Sequence, residues 1–423
     1  MIKRIRRLWR NEYLQGSFFL TASSFLLNIV NYFFYFLIAR NLGPKGYGEI
    51  YALFSYLGVV SIPLAIVSTY IIKQISASKE NSLDLAKQIE YYFWDRLKKW
   101  WPLLFLTLLL TPFIARITNL SAFVSYFFVP FMLVSVVTVF YDAVFQGLKL
   151  FLAFSILNSV TVFVKLFGAV TTIFPFGTLE LVILFLILAM VIKLAGEKVI
   201  LNQYHSTHNL SHYLNRRLTS LFHSQQFLLT SVFIIGTTLY SNIDIIIVKR
   251  LFDSNSSGLY SAWSLLSKIM LYAVGPLVSI SLIYYSSGNT SQSKKKKVFV
   301  ISLILAVILS LVGLFFYLTF PKLIILILFG QKFLSILPLV GYAGIYGMLF
   351  LLVIYFSNFL LAYNKKIIFS FPLLYGIYGV AVWLLPRSIY TVIIIDIIFS
   401  LLILGIYGLA IIKILSSKTN AKR

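Results

Sequence analysis

Apolar residues run along this chain in stretches of about twenty, the length a helix needs to cross a hydrocarbon core roughly 30 Å thick. Short polar breaks separate the stretches. The pattern predicts membrane helices near 17–39, 48–72, 99–115, 121–146, 150–174 and 178–196. A second set follows near 223–248, 258–284, 298–320, 336–362, 366–385 and 389–413. The expected fold class is therefore an all-α membrane protein with twelve transmembrane helices in two six-helix bundles, 1–200 and 223–423, joined by a polar cytoplasmic linker over 201–222. The basic start from Lys3 to Arg10 precedes an apolar run too long for a signal-peptide core, so that run reads as the first membrane helix. Between Leu83 and Trp101, acids and lysines alternate with Leu85, Ile89, Phe93, Trp94 and Trp100, a mixture suited to a helix in the headgroup layer.

The second half of the chain approximates the first. At a fixed offset Arg40 falls on Arg250, Gly48 on Gly258, Gln15 on Gln225 and Ala52 on Ala262, and the hydropathy around them repeats. Six spans per half make the repeats parallel, a plan on which secondary transporters are built. Pro63 and Gly275-Pro276 interrupt the second and eighth spans at nearly corresponding places, where a missing hydrogen bond permits a bend. Gly341, Gly344 and Gly347 form a small-residue ridge suited to close helix packing.

Composition closes off the soluble classes. With 60% hydrophobic and 11% charged residues and a mean hydropathy of +0.92, the chain lacks the polar surface of a water-soluble globule. Its formal net charge of +24 bears on membrane orientation, and no nucleic-acid partner is expected. Threading the 36 Lys and Arg through the predicted spans puts most of them in inner segments, so both termini are expected in the cytoplasm of a multi-pass plasma-membrane protein. The absence of cysteine removes disulfides and thiolate chemistry. His205, His208 and His212 in the linker could share a helix face, but no acid lies near them and a solvated linker explains them better than a metal site. No metal site, no catalytic residue and no enzyme activity are expected.

The candidate chemistry lies in the few charges inside the spans, since each costs several kcal/mol unless it meets a cavity or a partner. Lys165 and Lys268 fall near mid-depth in opposite halves, which suits a clamp for an anionic group such as a pyrophosphate. Arg40 and Arg250, equivalent in the repeat, are grouped with them as substrate-binding candidates. The alternative is that each lysine pairs with a neighbouring carboxylate or backbone carbonyl and only fixes packing. Asp244, Asp396 and Asp142 are the candidates for coupling to H⁺ or Na⁺, because a buried carboxylate can take up an ion on one side and release it on the other. For Asp244 the competing reading is an ion pair with Lys268, Lys249 or Arg250. No further cofactor is expected.

Residues 36–48, Phe-Leu-Ile-Ala-Arg-Asn-Leu-Gly-Pro-Lys-Gly-Tyr-Gly, resemble the first outer loop of polysaccharide and O-antigen flippases. Asn242-Ile243-Asp244 through Gly258-Leu259-Tyr260-Ser261-Ala262-Trp263 is similar to their seventh and eighth spans, and Leu328-Phe329-Gly330 with Phe333 to the segment before their tenth. These flippases belong to the multidrug, oligosaccharidyl-lipid and polysaccharide exporter superfamily. The resemblance implies two six-helix lobes that move a polyprenyl-(pyro)phosphate-linked oligosaccharide from the cytoplasmic to the outer leaflet, with membrane lipids and polysaccharide-assembly enzymes as partners. It also implies that Asp244 occupies a position commonly acidic in the family. The rivals are a cation-coupled drug exporter, which would line its cavity with acids, and a membrane-embedded polymerase or glycosyltransferase, which would want paired carboxylates or a large outer domain.

Overall fold

The computed structural model describes residues 12–78, 82–100, 102, 111–203, 225–286 and 291–416. All regular structure among them is helical. That follows from the composition: in hydrocarbon, a helix satisfies every backbone group within its own segment. The helices are α1 (Glu12–Val60), α2 (Ile62–Ala77), α3 (Ser82–Lys99), α4 (Thr111–Thr118), α5 (Ala122–Gly147), α6 (Phe151–Thr171) and α7 (Leu179–Asn202). They continue as α8 (Gln225–Leu251), α9 (Ser254–Ser286), α10 (Gln292–Thr319), α11 (Pro321–Leu328), α12 (Val340–Ala362), α13 (Ser370–Leu384) and α14 (Ile389–Ser416). Two 3₁₀ turns, Gln331–Leu339 and Lys366–Phe369, lead into α12 and α13. Among the described residues eight helices are long and apolar enough to cross a membrane, nine if α1 with α2 counts as one bent span. The third predicted span, 99–115, and the linker histidines fall largely or wholly outside the described residues.

The breaks between helices have local causes. Inside α1, Gly43 adopts φ 68° and ψ −170°, outside helical geometry, and Pro44 follows it. The break predicted as a loop over 40–47 is thus only a kink. At the other end of this segment α1 and α2 meet at a 56° bend, with Pro63 in the first turn of α2. A proline there fits where it would break a helix interior. The equivalent Gly275-Pro276 lies within the continuous helix α9. Asn119, Lys149 and Asn364 take positive φ in the connections after α4, α5 and α12, and the hydroxyls of Thr178 and Ser291 cap α7 and α10.

Exposure is inverted relative to a soluble protein. Ile304, Ile308, Leu311, Phe315 and Leu318 on α10, and Leu373, Ile377 and Trp383 on α13, are exposed, while Ser257, Ser261, Ser264 and Ser267 on α9 are buried. An apolar outer face with hydroxyls turned inward suits lipid as solvent. The chain divides into two compact units, Met1–Leu42 with Val60–Leu221, and Gly43–Val59 with Phe222–Arg423.

In the first unit, α3 packs on α5, with the Phe93 and Phe140 rings stacked at 4.0 Å beside a core of Ile71, Ile75, Tyr141 and Val144. In the second, α9 packs on α12 and α12 on α14. Gly347 lets α12 approach α9 so closely that a β-carbon there would sit 2.5 Å from the Ser267 carbonyl oxygen. The glycine ridge read from the sequence therefore makes that contact, although Gly341 and Gly344 face Leu318 and Leu314 of α10 instead.

Candidate functional site

Three charged side chains of the second unit meet where α8, α9 and α14 come together. Asp244 on α8 is 2% exposed, Lys268 on α9 and Asp396 on α14 3%. Each sits on a continuous apolar helix, so its position is fixed by helix packing rather than by a loop. Lys268 Nζ lies 3.6 Å from Asp244 Oδ2, donates to the Ser241 carbonyl at 2.6 Å and sits 5.9 Å from the centre of the Phe350 ring. Ser264 donates to Asp244 Oδ2 at 3.0 Å, and Tyr378 to Asp396 Oδ1 at 2.7 Å. Tyr260 joins the two acids, its hydroxyl being 3.1 Å from Asp244 Oδ2 and 2.7 Å from Asp396 Oδ2. Around them Ser400 meets the Tyr240 hydroxyl at 3.0 Å, and the Tyr240 ring stacks on Phe350.

The chemistry follows from counting hydrogens and charges. A phenol carries one hydrogen, so Tyr260 donates to only one of its two carboxyl neighbours. The other contact is satisfied when a carboxyl group carries a proton or when a cation bridges the pair. Asp244 Oδ1 is buried with no hydrogen-bond donor among the described residues, which adds to the deficit. Two carboxylates against one ammonium leave one negative charge in a buried site, and burying it unneutralised is costly. The arrangement can hold one proton or one small monovalent cation.

The remaining sequence candidates fall elsewhere. In the first unit, Lys165 on α6 donates to Asn31 Oδ1 at 3.1 Å and lies 4.1 Å from the Phe34 ring centre and 5.1 Å from that of Tyr35. Arg40 is exposed, its guanidinium 4.4 Å over the Phe36 ring, and Arg250 is exposed at the end of α8. Asp142 on α5 is ion-paired with Lys193 on α7 at 2.6 Å. Lys268 and Asp244 have the pairing that the packing reading expects, and the same pairing is compatible with ion coupling.

Two buried ion pairs escaped the sequence reading. Lys249, counted among outer-loop cations, is 1% exposed and bonds Glu49 at 2.6 Å. Glu197 lies just past the predicted end of the sixth span at 196, whereas α7 continues to Asn202 and carries both Lys193 and Glu197 inside the helix. The signal for both was available: a lone acid on an otherwise apolar helix needs a partner.

The residues that carried the family resemblance form a packing knot in the second unit. Tyr47 packs edge-on against Phe329 and Phe333. Gly48 and Gly258, paired in the internal alignment, lie against each other, a β-carbon on Gly48 coming 2.7 Å from the Gly258 α-carbon.

The family model described as polysaccharide biosynthesis protein matches residues 13–283. The chain belongs to this family. No curated protein matches it. Solved structures share its fold: an inward-facing multidrug resistance MATE family transporter of the MOP superfamily, 11% identical with a TM-score of 0.69, covers 93% of this chain and 96% of its own. The lipid II flippase MurJ in an inward closed conformation, 13% identical with a TM-score of 0.69, covers 94% and 88%. A MOP superfamily transporter from Pyrococcus furiosus Vc1, 13% identical with a TM-score of 0.58, covers 94% of each. The family expected from the sequence is met, and the chain is an all-helical, multi-pass membrane protein with a MOP-type fold.

Proposed function

We propose that this protein is a flippase that moves a polyprenyl-(pyro)phosphate-linked oligosaccharide from the cytoplasmic to the outer leaflet of the plasma membrane by alternating access, for cell-surface polysaccharide synthesis. The family match supports the substrate class, and the basic inner segments support cytoplasmic termini. Lys165, Arg40 and Arg250 are the cations offered to the phosphate groups, while Asp244, Asp396 and Lys268 hold the coupling ion. The observation that carries the coupling is Tyr260, whose single hydrogen serves two buried carboxyl groups. In one state the pair holds H⁺ or Na⁺ beside Lys268; release leaves a net negative charge that favours a rearranged packing of α8, α9 and α14. Assembly enzymes that build the glycan inside and extend it outside are the expected partners.

Translocation of a fluorescent polyprenyl-pyrophosphate oligosaccharide in proteoliposomes, under imposed H⁺ or Na⁺ gradients, tests both parts. Wild-type transport that follows one gradient and loses that dependence in Asp244→Asn supports the coupling site. Lys165→Ala lowering transport with the gradient dependence intact supports the substrate role of Lys165. Transport of organic cations and of no glycolipid would replace the reading with drug export.

A further inference from the structure

The first unit contains a second buried cluster with one charge too many. Lys193 Nζ, on α7, lies 2.6 Å from Asp142 Oδ1 of α5, donates to Asn158 Oδ1 of α6 at 2.7 Å, and lies 3.9 Å from Glu197 Oε1, one turn along its own helix. Glu197 is 0% exposed, and among the described residues neither of its oxygens receives a hydrogen bond. The close Asp142–Lys193 contact also lacks hydrogen-bond alignment at Asp142 Oδ1.

The other charged and titratable groups around this site have partners of their own. On α3, Glu90 takes the Tyr141 hydroxyl at 2.7 Å and pairs with Lys87 at 3.5 Å, and Trp94 donates to the Tyr141 oxygen at 3.0 Å. Lys198 lies 5.1 Å from the Trp94 ring centre. The contact with Lys193 from α6 is the neutral amide Asn158. What remains among the described residues is one ammonium facing two carboxyl groups, with nothing to donate to Glu197.

We propose that this cluster is a proton-binding site, with one exchangeable proton shared by Glu197 and Asp142 and balanced by Lys193. A proton fits better than a metal ion, because the Lys193 ammonium already occupies the position among the acceptors where a cation would sit. The O–H bond forms on a carboxyl oxygen, and that hydrogen supplies the missing donor. Asp142, with its side chain 22% exposed, is the mouth through which the proton exchanges with water; Glu197 has no direct access. The site belongs to a different unit from the Asp244–Asp396 pair and does not depend on the coupling role given to that pair.

Infrared difference spectroscopy on the full-length protein in lipid at neutral pH reads the protonated carboxyl stretch directly, without transport. Glu197→Gln is expected to remove one protonated carboxyl band. Asp142→Asn is expected to remove it as well, because Lys193 then balances an ionised Glu197 alone. Retention of the band in either variant overturns the shared proton, and a wild-type band that responds to added Na⁺ and not to pH makes the site a metal-ion site instead. Should Glu197→Gln fail to fold, the Asp142→Asn spectrum decides.

Discussion

The two buried clusters have the same formal make-up, two carboxyl groups and one lysine, but opposite surroundings. Around Asp244 and Asp396 the helices supply hydroxyls from Tyr260, Ser264 and Tyr378. Around Asp142 and Glu197 they supply one neutral amide, and that is spent on Lys193. Those hydroxyls supply donors to the first cluster, where Tyr260 leaves one of its two carboxyl contacts to be met by a proton or a cation. The second is satisfied only when the proton is present. The first is also buried throughout, whereas the Asp142 side chain is 22% exposed. On the ion-binding roles proposed for them, the buried, hydroxyl-rich site requires the helices to move before it exchanges an ion, and the donor-poor site with an open edge exchanges without rearrangement.

Removing each lysine puts the largest strain on this distinction. Lys268→Met leaves two carboxyl groups in a buried site, and breaking a buried pair in this way costs about 3–5 kcal/mol. Lys193→Met is expected to cost less, because Asp142 can hydrate at its exposed edge. Equilibrium unfolding of both variants in detergent checks the order, and an equal or larger loss for Lys193→Met would mean that access to water does not separate the clusters. A smaller effect is expected from Tyr260→Phe. It removes the one hydrogen that the hydroxyl gives to the two acids and leaves the pair a donor short, a loss of about 1–3 kcal/mol. The same measurement on this variant should also show stability that depends more steeply on pH than in wild type, since only protonation can then relieve the carboxyl pair.

The sequence discloses these two sites unequally. Asp244, Lys268 and Asp396 stand out because each interrupts a long apolar run, and intramembrane charge is rare enough to be noticed. Tyr260, Ser264 and Tyr378 do not, since tyrosine and serine are common in such helices and the hydrogen-bond partners Tyr260 and Asp396 are far apart in the chain. Glu197 was hidden by a boundary: an apolar run shows that a helix exists, but its end depends on capping and on contacts with distant residues. The same limit applies to residues 40–47, where Gly43 and Pro44 read as a loop and form a kink inside α1. The family motifs were legible as motifs, yet the sequence did not show that Tyr47, Gly48 and Gly258 serve packing.

A fifth carboxyl group, outside both clusters, supplies the surface end of the comparison and the smallest expected effect. Asp253 precedes α9 and is open to solvent, and its Oδ1 accepts from the backbone amides of Asn255 at 2.9 Å and Ser256 at 3.0 Å. Hydrogen bonds from the Ser256 side chain, and then from its backbone amide, hold the Asp253 carboxyl below its ordinary range. Because its folded value is depressed, its stabilisation is fully present above the ordinary carboxylate pKa and is lost as pH falls through the folded value. Asp253→Ala should therefore cost about 1 kcal/mol at neutral pH, the usual worth of a helix cap, and less at strongly acidic pH, where only the charge-dependent part is gone. Asp253→Asn keeps the acceptor without the charge, so it should retain most of that stability and lose its pH dependence. If both variants lose equally at every pH, donors without burial do not set the carboxyl's behaviour, and the contrast between the two buried clusters would have to rest on water access alone.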